Sequence, residues 1–362
     1  MSEFRILHLS DLHFCHREAV GLPKLETKSL DKNLIEEYKK ANCLFSTAKM
    51  SRWPQLKTSI AQLCRDEDNP VDLAVFTGDL STSGDNVDLR GAHSKINELS
   101  KILTQNGIPV CLIPGNHERL GNSYAKVPSN SNPKEYLKQR VDAIRYSREF
   151  ENIFNVHRRV RVIARIVKGV QRLIVLGVDF SLQEKIFHIL EATASRSQKC
   201  GMGWVESSLL EELAQLTDAE REDATIEGHV PVLVWAIHFP PYSKWDKSVP
   251  EPFEKAPEHL QLIESKKLLN QAKNQEVGCI LAGHHHWPHL LEIEGVTLSV
   301  AGSALEIHAT QGNYFHLLTI DTSVTPRSIK VQDYLYTNAQ LSQRGFLPLR
   351  RAKTPVRVGL IP

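Results

Sequence analysis

The stretch VGCILAGHHHWPH, residues 277–289, joins a short apolar run to a cluster of histidines. Four of the chain's 16 histidines lie in its last six residues. The cluster lies deep inside the chain, so it is not a terminal purification tag. A short apolar run followed by glycine and polar residues is typical of a buried strand that ends at a functional loop. The sequence therefore predicts that these imidazoles act together with residues from other parts of the chain.

The composition is that of an ordinary globular protein. Of 362 residues, 41% are hydrophobic and 24% are charged, and the formal net charge of +2 gives no global attraction to nucleic acid or membranes. No apolar run reaches the roughly 18 to 20 residues of a membrane span, and the first residues do not resemble a signal peptide. The six cysteines are dispersed without a CxxC pair. These features predict a protein of the reducing cytoplasm without a membrane partner, and they leave its oligomeric state open.

Short apolar runs rich in Val, Ile and Leu recur along the chain and predict buried strands. Apolar residues at helical spacing predict helices within residues 53–67, 93–107 and 204–216. Alternating strands and helices, followed by consecutive strands, predict one layered α/β domain built on two sheets. We assign residues 1–336 to this domain, with insertions at about 15–52 and 119–160, and residues 337–362 to a C-terminal extension. The insertions either shape access to a site or decorate the surface.

The predicted strands end in a recurring set of polar residues. These are Asp11, His13, Asp79, Asn116, His117, Glu118, His238, His284, His285 and His286. Because side chains alternate along an extended backbone, Asp11 and His13 are predicted to face one site while the leucine between them turns into the core. The same rule predicts that His284 and His286 face that site and that the histidine between them points away.

The chemistry of these residues predicts a metal site. Carboxylate, imidazole and amide ligands without a thiolate suit Mn, Fe, Zn, Ni or Co. The number of candidate ligands exceeds what a single tetrahedral ion needs, so we predict two ions, with a carboxylate able to bridge them. Two divalent cations and two aspartates leave a charge of about +2, which attracts an anionic phosphate. Ligands at the carboxyl ends of strands also match the place where α/β folds form their sites.

The order of the motifs resembles that of the calcineurin-like metallophosphoesterase superfamily. Asp-x-His, Gly-Asp, Gly-Asn-His-Glu, a lone His and Gly-His-x-His follow one another between Asp11 and His286. Each motif alone is common, whereas the ordered set of five is specific. The resemblance implies a four-layer α/β fold, in which two mixed β-sheets pack as a sandwich and are flanked by helices.

The resemblance also implies a role for each residue. The implied ligands of one ion are Asp11, His13 and His286, and those of the other are Asn116, His238 and His284, with Asp79 as the bridge. His117 would contact the phosphate and protonate the leaving oxygen, so His117 and Asp79 are the predicted catalytic residues. Glu118 either orients a metal ligand or is a solvated carboxylate in a loop.

Finer features favour phosphodiester substrates. Residues 78–86, GDLSTSGDN, lack the Asp-Arg-Gly of the protein Ser/Thr phosphatases, and TGDLSTSG, PGNHE, HFPP and GWVESSLLEEL resemble the bacterial cyclic-nucleotide phosphodiesterase-like branch. The predicted function is hydrolysis of phosphodiester bonds in nucleotide-type substrates by a dinuclear enzyme, with manganese as the first choice of metal and the ions activating the attacking water.

Three alternatives stay open. A metal-dependent DNA or RNA nuclease of the same superfamily would have a basic groove leading to the site. A phosphomonoesterase shares the same motifs, and a scaffold protein on a retired phosphoesterase fold would have lost metal ligands. The basic run at residues 157–172, HRRVRVIARIVKGVQR, either guides a polyanion or forms a strand with a solvated face, and we favour the strand. His8 is predicted to pack within its strand rather than to bind metal.

Overall fold

The computed structural model describes residues 3–14, 52–68, 70–81, 86–118, 150–151, 158–181, 203–241, 262–286, 288–293, 295–305, 313–324, 327–336, 347–348 and 360–361. The strands are β1 (Glu3–Leu9), β2 (Leu73–Thr77), β3 (Val110–Ile113), β4 (Val160–Lys168), β5 (Gln171–Val178), β6 (Gly203–Trp204), β7 (Val230–Ala236), β8 (Leu262–Ile263), β9 (Cys279–Ala282), β10 (His289–Ile293), β11 (Val296–Val300), β12 (Asn313–Asp321), β13 (Arg327–Tyr336), β14 (Leu347–Pro348) and β15 (Leu360–Ile361). The helices include α1 (residues 52–64), α2 (Asn86–Gln105), α3 (Ser207–Ile226) and α4 (Ser265–Asn274), and a 3-10 helix covers Asn116–Glu118.

The first sheet, which we call sheet I, has the strand order β14-β13-β12-β1-β2-β3, and β15 also pairs with β13. Strands β1, β2 and β3 run parallel to one another. Strand β12 joins β1 in antiparallel register, with His8 opposite His316. The carboxyl ends of the three parallel strands therefore lie along one edge of sheet I.

The second sheet, sheet II, has the order β10-β11-β9-β7-β5-β4. Its four central strands, β11, β9, β7 and β5, run parallel. The outer strands β10 and β4 are antiparallel to their neighbours. A separate two-stranded parallel ribbon is formed by β6 and β8.

Three buried apolar clusters fill the spaces between four layers. Along β1, Phe4 and Ile6 belong to the cluster between the two sheets, while Leu7 and Leu9 belong to the cluster that includes residues of α1 and α2. A third cluster joins sheet II to α3 and α4. Because both faces of each central strand are covered, the strands are continuously apolar rather than alternating. The predicted sandwich of two mixed sheets flanked by helices is confirmed.

Most of the predicted elements have the expected type and differ at their ends. The helix predicted within residues 204–216 begins only at Ser207, because Gly203 and Trp204 form β6. The helix predicted at 93–107 begins earlier, at Asn86, and ends at Gln105. Gly107 follows with φ +73° and donates its N–H to Thr104 O. The Asn-Gly pair thus terminates α2, as its glycine suggested.

The chain ends and insertions are described only in part. Both predicted insertions lie almost entirely outside the described residues, and β4 begins at Val160, where the second was expected to end. Strands β14 and β15 fall in the predicted C-terminal extension and pair with β13, so parts of this segment extend sheet I. In the described part of the chain, none of the helices combines the length and hydropathy that a membrane crossing requires.

Candidate metal centre

Strand ends from both sheets meet at the candidate site. The predicted site residues come directly after β1, β2, β3, β7 and β9. Sheet I supplies Asp11, His13, Asp79 and Asn116, and sheet II supplies His238, His284 and His286. All of the predicted metal ligands are therefore within the described residues, and they divide between the two sheets.

Asp11, His13 and His286, which we call the first ligand set, bring their ligand atoms together. His13 Nε2 lies 3.0 Å from His286 Nε2. Asp11 Oδ1 lies 3.3 Å from His286 Nε2 and 3.8 Å from His13 Nε2. Together with a carboxylate oxygen of Asp79, these atoms all lie within 4.8 Å of one another. This cluster is compact enough to surround one ion.

Asn116, His238 and His284, the second ligand set, converge in the same way. His238 Nε2 lies 3.1 Å from His284 Nδ1 and 3.0 Å from Asn116 Oδ1. The other ring nitrogen of His238, Nδ1, lies 2.6 Å from the carbonyl oxygen of Thr77. A hydrogen bond from Nδ1–H to this carbonyl selects the tautomer in which Nε2 is the ligand atom.

Asp79 takes part in both sets. Its Oδ1 accepts a hydrogen bond from the backbone N–H of His117 at 2.9 Å. Its Oδ2 lies 3.3 Å from His238 Nε2 and 3.8 Å from His13 Nε2. One oxygen thus faces a ligand atom of each set, which is the arrangement that a bridging carboxylate requires.

The spacing of these atoms fits divalent cations. Bonds from a metal to imidazole nitrogen or carboxylate oxygen are about 2.0–2.2 Å, so neighbouring ligand atoms on one ion lie roughly 3.0–3.5 Å apart. The shortest distances within the two sets, 3.0 and 3.1 Å, fall in this range. In addition, Asp11 Oδ1 is buried and has no hydrogen-bond partner among the described residues. An unsatisfied buried carboxylate oxygen is costly, and a cation would satisfy it.

The electrostatics of the site also favour cations. Burial raises the pKa of Asp79, but the charges on His238, His117 and His13 outweigh burial and hold that pKa well below its usual value. Burial lowers the pKa of His238, but the charges of Asp79 and Asp11 outweigh it and raise that pKa to about 9. The two buried carboxylates therefore attract positive charge, which divalent ions would provide.

The ligands lie in tight turns rather than in extended backbone. Positive φ angles occur at Asp11 (54°), His13 (48°), Asp79 (51°), His284 (73°) and His286 (58°). Non-glycine residues rarely adopt this conformation. The prediction assumed extended backbone at these residues, and that assumption was wrong. Left-handed turns after the strands set the directions of the side chains. The predicted orientations nevertheless match the structure, since Leu12 is fully buried and His285 lies outside both ligand sets.

Two glycines leave room for the carboxylates. A Cβ atom at Gly115 would overlap the carboxylate of Asp79. A Cβ atom at Gly283 would overlap the hydroxyl of Ser10 and approach Asp11 Oδ2. That same oxygen of Asp11 accepts the backbone N–H of His284 at 3.0 Å. The first residue of Gly-Asn-His-Glu and of Gly-His-x-His must therefore be glycine, because a side chain there would overlap neighbouring atoms.

Glu118 holds the backbone of the site through buried hydrogen bonds. It is fully buried, so it is not a solvated loop carboxylate. Its Oε2 accepts the N–H groups of Asp79 and Gly115 at 3.0 and 2.7 Å, and its Oε1 accepts the N–H and the hydroxyl of Ser81 at 2.9 and 3.0 Å. Burial and the charge of Asp79 raise the pKa of Glu118. The carboxylate thereby joins the turn after β2 to the turn after β3.

A sequence model described as calcineurin-like phosphoesterase matches residues 4–288. The chain belongs to the calcineurin-like phosphoesterase family. Members of this family hydrolyse phosphoesters and use dinuclear metal centres, and the two ligand sets fit such a centre. No curated protein sequence matches the chain.

Solved structures resemble the chain at low sequence identity. A dimetal phosphatase from Danio rerio superposes with a TM-score of 0.51 at 14% identity, covering 92% of this chain and 99% of that one. A purple acid phosphatase from yellow lupin (Lupinus luteus) seeds has a TM-score of 0.40 at 13% identity, covering 92% of this chain and 52% of that one. At 14% identity the likeness to the dimetal phosphatase supports the fold and does not identify a substrate.

His117 lies beside the two ligand sets of this phosphoesterase. Its ring centroid is 4.6 Å from that of His13, edge to face, and its Nε2 is 3.9 Å from Asp79 Oδ2. The side chain is 15% exposed, whereas that of Asp79 is 1% exposed. It is outside both clusters of potential metal ligands. His117 is thus the more accessible of these two predicted catalytic residues.

Phe239 is a site residue that the sequence analysis missed. Its ring centroid lies 5.0 Å from that of His238 and 4.9 Å from that of His284. It is fully buried, and a Cβ atom at Gly203 would press against its ring. Phe239 therefore supports two rings of the second ligand set. Phe239 lies within HFPP, where a phenyl ring without a ligand atom gave no sign of a role in a metal site.

Replacing Glu118 with Gln should weaken Mn²⁺ binding by about 10- to 100-fold. The NH₂ of the new amide is a donor, and it would face backbone N–H groups whose hydrogen bonds the carboxylate now accepts. Isothermal titration of the full chain with Mn²⁺ measures the change. Glu98→Gln is the control, because that carboxylate also accepts hydrogen bonds, from Trp53 and Lys57, on the helical side of sheet I. Unchanged affinity in Glu118→Gln would contradict the organising role.

Proposed function

We propose that this chain is a dinuclear, metal-dependent phosphodiesterase. The observation that carries the proposal is the position of Asp79, whose Oδ2 lies 3.3 Å from His238 Nε2 and 3.8 Å from His13 Nε2. A carboxylate placed between two complete ligand sets has a function in a two-ion centre, whereas a single-ion site would leave one set without use. The family assignment supplies phosphoester hydrolysis.

The proposed centre holds two ions. The proposed ligands are Asp11, His13 and His286 for one ion, Asn116, His238 and His284 for the other, and Asp79 for both. When bound, two divalent ions, with Mn²⁺ the first choice among Mn, Fe, Zn, Ni and Co, supply activation of water and of the phosphate. Two aspartates against two such ions leave a net charge of about +2, which binds an anionic phosphate.

His117 is the proposed general acid. An imidazole has a pKa near neutral pH and can donate a proton to a leaving alkoxide. Its backbone N–H is held by Asp79 Oδ1, and its ring packs against that of His13. These two contacts hold the ring beside the centre, where its nitrogen can reach a substrate oxygen.

The preference for diesters, on nucleotide-type substrates, rests on sequence likeness. The Gly-Asp block continues as GDLSTSGDN, without the arginine of the protein phosphatases, and four segments resemble the cyclic-nucleotide phosphodiesterase-like branch. A general acid at His117 suits this choice, because the alkoxide that leaves a nucleotide diester needs protonation.

The basic run at residues 157–172 favours a small substrate over a polymer. Within this run, residues 160–168 form β4 and residues 171–172 begin β5. Arg165 donates to both carboxylate oxygens of Glu220 at 2.5 and 2.6 Å, and Arg172 donates to Glu227 at 2.8 Å. Because these guanidinium groups are paired with carboxylates, they offer less charge to a polyanion. The nuclease alternative gains no support from them.

The remaining features support an active enzyme in the cytoplasm. A retired scaffold would have lost ligands, and both ligand sets are complete here. Cys111 and Cys279 are free thiols whose pKa is raised by burial to about 11 and about 12. Such thiols remain protonated and unreactive in any compartment, so the proposed reducing cytoplasm rests on the dispersed cysteines of the sequence.

A substrate panel tests this function directly. The full chain, reconstituted with Mn²⁺, should hydrolyse cyclic mononucleotides or an aryl phosphodiester faster than an aryl phosphomonoester, and faster than DNA or RNA. Asp79→Asn should retain less than about a tenth of the turnover, since the bridge serves both ions.

Asp72→Asn is the matched control, because Asp72 is a carboxylate whose side chain is only 9% exposed, and it accepts hydrogen bonds from Arg5 N–H and Lys168 at the opposite end of β2. A preference for the monoester would refute the diesterase assignment. If Asp79→Asn retained more than about a tenth of the wild-type turnover with both ions bound, Asp79 would not be the bridging ligand.

His117→Asn separates proton donation from metal binding. The variant should keep both ions and lose about 10²- to 10⁴-fold in turnover of an alkyl phosphodiester. It should lose much less on a nitrophenyl ester, whose leaving group departs without protonation. Parallel kinetics on the two esters, with His93→Asn on the surface of α2 as the control, give the answer. Equal losses on both esters would indicate phosphate binding instead, and loss of an ion would make His117 a ligand.

A further inference from the structure

The space between the sheets changes from apolar to polar as it approaches the metal centre. Along β1 the side chains on this face are Phe4 and Ile6, and the same alternation then places His8 and Ser10 there. On β2 the corresponding residues are Leu73, Val75 and Thr77. The polar residues therefore form a layer between the apolar core and the ligand sets.

Four residues of this layer form a cluster that we call the interlayer polar cluster: His8, Thr77, Ser299 and His316. Each of them is fully buried. His8 Nε2 lies 2.9 Å from Thr77 Oγ1. Ser299 Oγ lies 2.7 Å from His316 Nδ1 and 3.5 Å from His8 Nδ1. Burial lowers the pKa of His8 well below its usual value, so this imidazole is held neutral inside the protein.

The cluster connects the two sheets. His8, Thr77 and His316 belong to β1, β2 and β12 of sheet I, whereas Ser299 belongs to β11 of sheet II. Apolar contacts between the sheets are not directional, so they permit small sliding movements. Hydrogen bonds depend on distance and angle. The Ser299 hydroxyl therefore adds directional contacts from β11 to β1 and β12 that apolar packing does not supply.

The cluster also leads to both ligand sets. The carbonyl oxygen of Thr77 accepts from His238 Nδ1, which reaches the second set. Four residues after Ser299 along the polypeptide lies Ser303. Its hydroxyl donates to Asp11 O at 2.6 Å, and its N–H donates to His286 O at 3.3 Å. These contacts reach the first set.

We propose that the interlayer polar cluster is a positioning network, in which Ser299 fixes the register of sheet II against sheet I and thereby the spacing of the ligand atoms. The reason is geometric. Each ligand set contains residues from both sheets, so a shift of one sheet against the other changes His13–His286 and Asn116–His238 distances together. The link to metal binding rests on the proposed function, whereas the link to ligand spacing does not.

Ser299→Ala and Thr297→Val form a matched pair. Thr297 lies two residues away on the same strand and face and is 3% exposed. Within the described part of the chain its hydroxyl has no hydrogen-bond partner. Both variants remove one buried hydroxyl from β11. Only Ser299→Ala removes a contact between the sheets. Ser299→Cys, which keeps the size and weakens the hydrogen bond, should give an intermediate result.

Two measurements on the full chain decide the matter. In the metal-free protein with ¹⁵N-labelled histidine, Ser299→Ala should shift the ring-nitrogen resonances of His238 and His286, and Thr297→Val should leave them in place. In a Mn²⁺ titration, Ser299→Ala should bind roughly three- to tenfold more weakly, with Thr297→Val unchanged.

Ring-nitrogen spectra that do not distinguish Ser299→Ala from Thr297→Val would overturn the proposal, even if both variants lose thermal stability. A wild-type chain that binds no Mn²⁺ would instead count against the proposed function, and the metal-free spectra would still test the positioning network.

Discussion

One carboxylate oxygen, Oδ2 of Asp79, faces candidate ligand atoms from two different sheets. The rest of the site is arranged around this carboxylate. Gly115 lacks a side chain where one would strike Asp79, and Glu118 accepts the Asp79 N–H. The His117 N–H donates a hydrogen bond to the other oxygen, Oδ1, so the carboxylate of Asp79 cannot rotate freely. The sandwich brings the ends of parallel strands together at one edge, and this edge is where a shared carboxylate can serve both ligand sets.

The geometry of the site has a conformational cost. Left-handed φ angles at non-glycine residues cost about 1–3 kcal/mol each, and Asp11, His13 and Asp79 all have them. Hydrogen bonds from Asp11 N to Gly78 O and from His13 N to Asp79 O hold these turns in place. The apolar clusters on both faces of the sheets offset this cost.

The sequence predicted the fold and the site residues for different physical reasons. Strands were predictable because burial on both faces produces continuous apolar runs such as VDLAVFTGDL. The residues that converge were predictable from motif order, but the positive φ of His284 was not, because strand alternation assumes extended backbone. Phe239 was missed because a phenyl ring has no ligand atom that would mark it as part of a metal site. The contact of Ser299 with His316 was beyond prediction, because it depends on how two sheets face each other across sequence-distant strands.

The most direct test of a two-ion centre around Asp79 is anomalous diffraction at the manganese absorption edge, from crystals of the Mn²⁺-loaded full chain. The account predicts two peaks per chain, roughly 3.5–4 Å apart, one beside His13 and His286 and the other beside His238 and His284, with Asp79 touching both. A single peak, or two peaks of which one lies out of reach of Asp79, would contradict it.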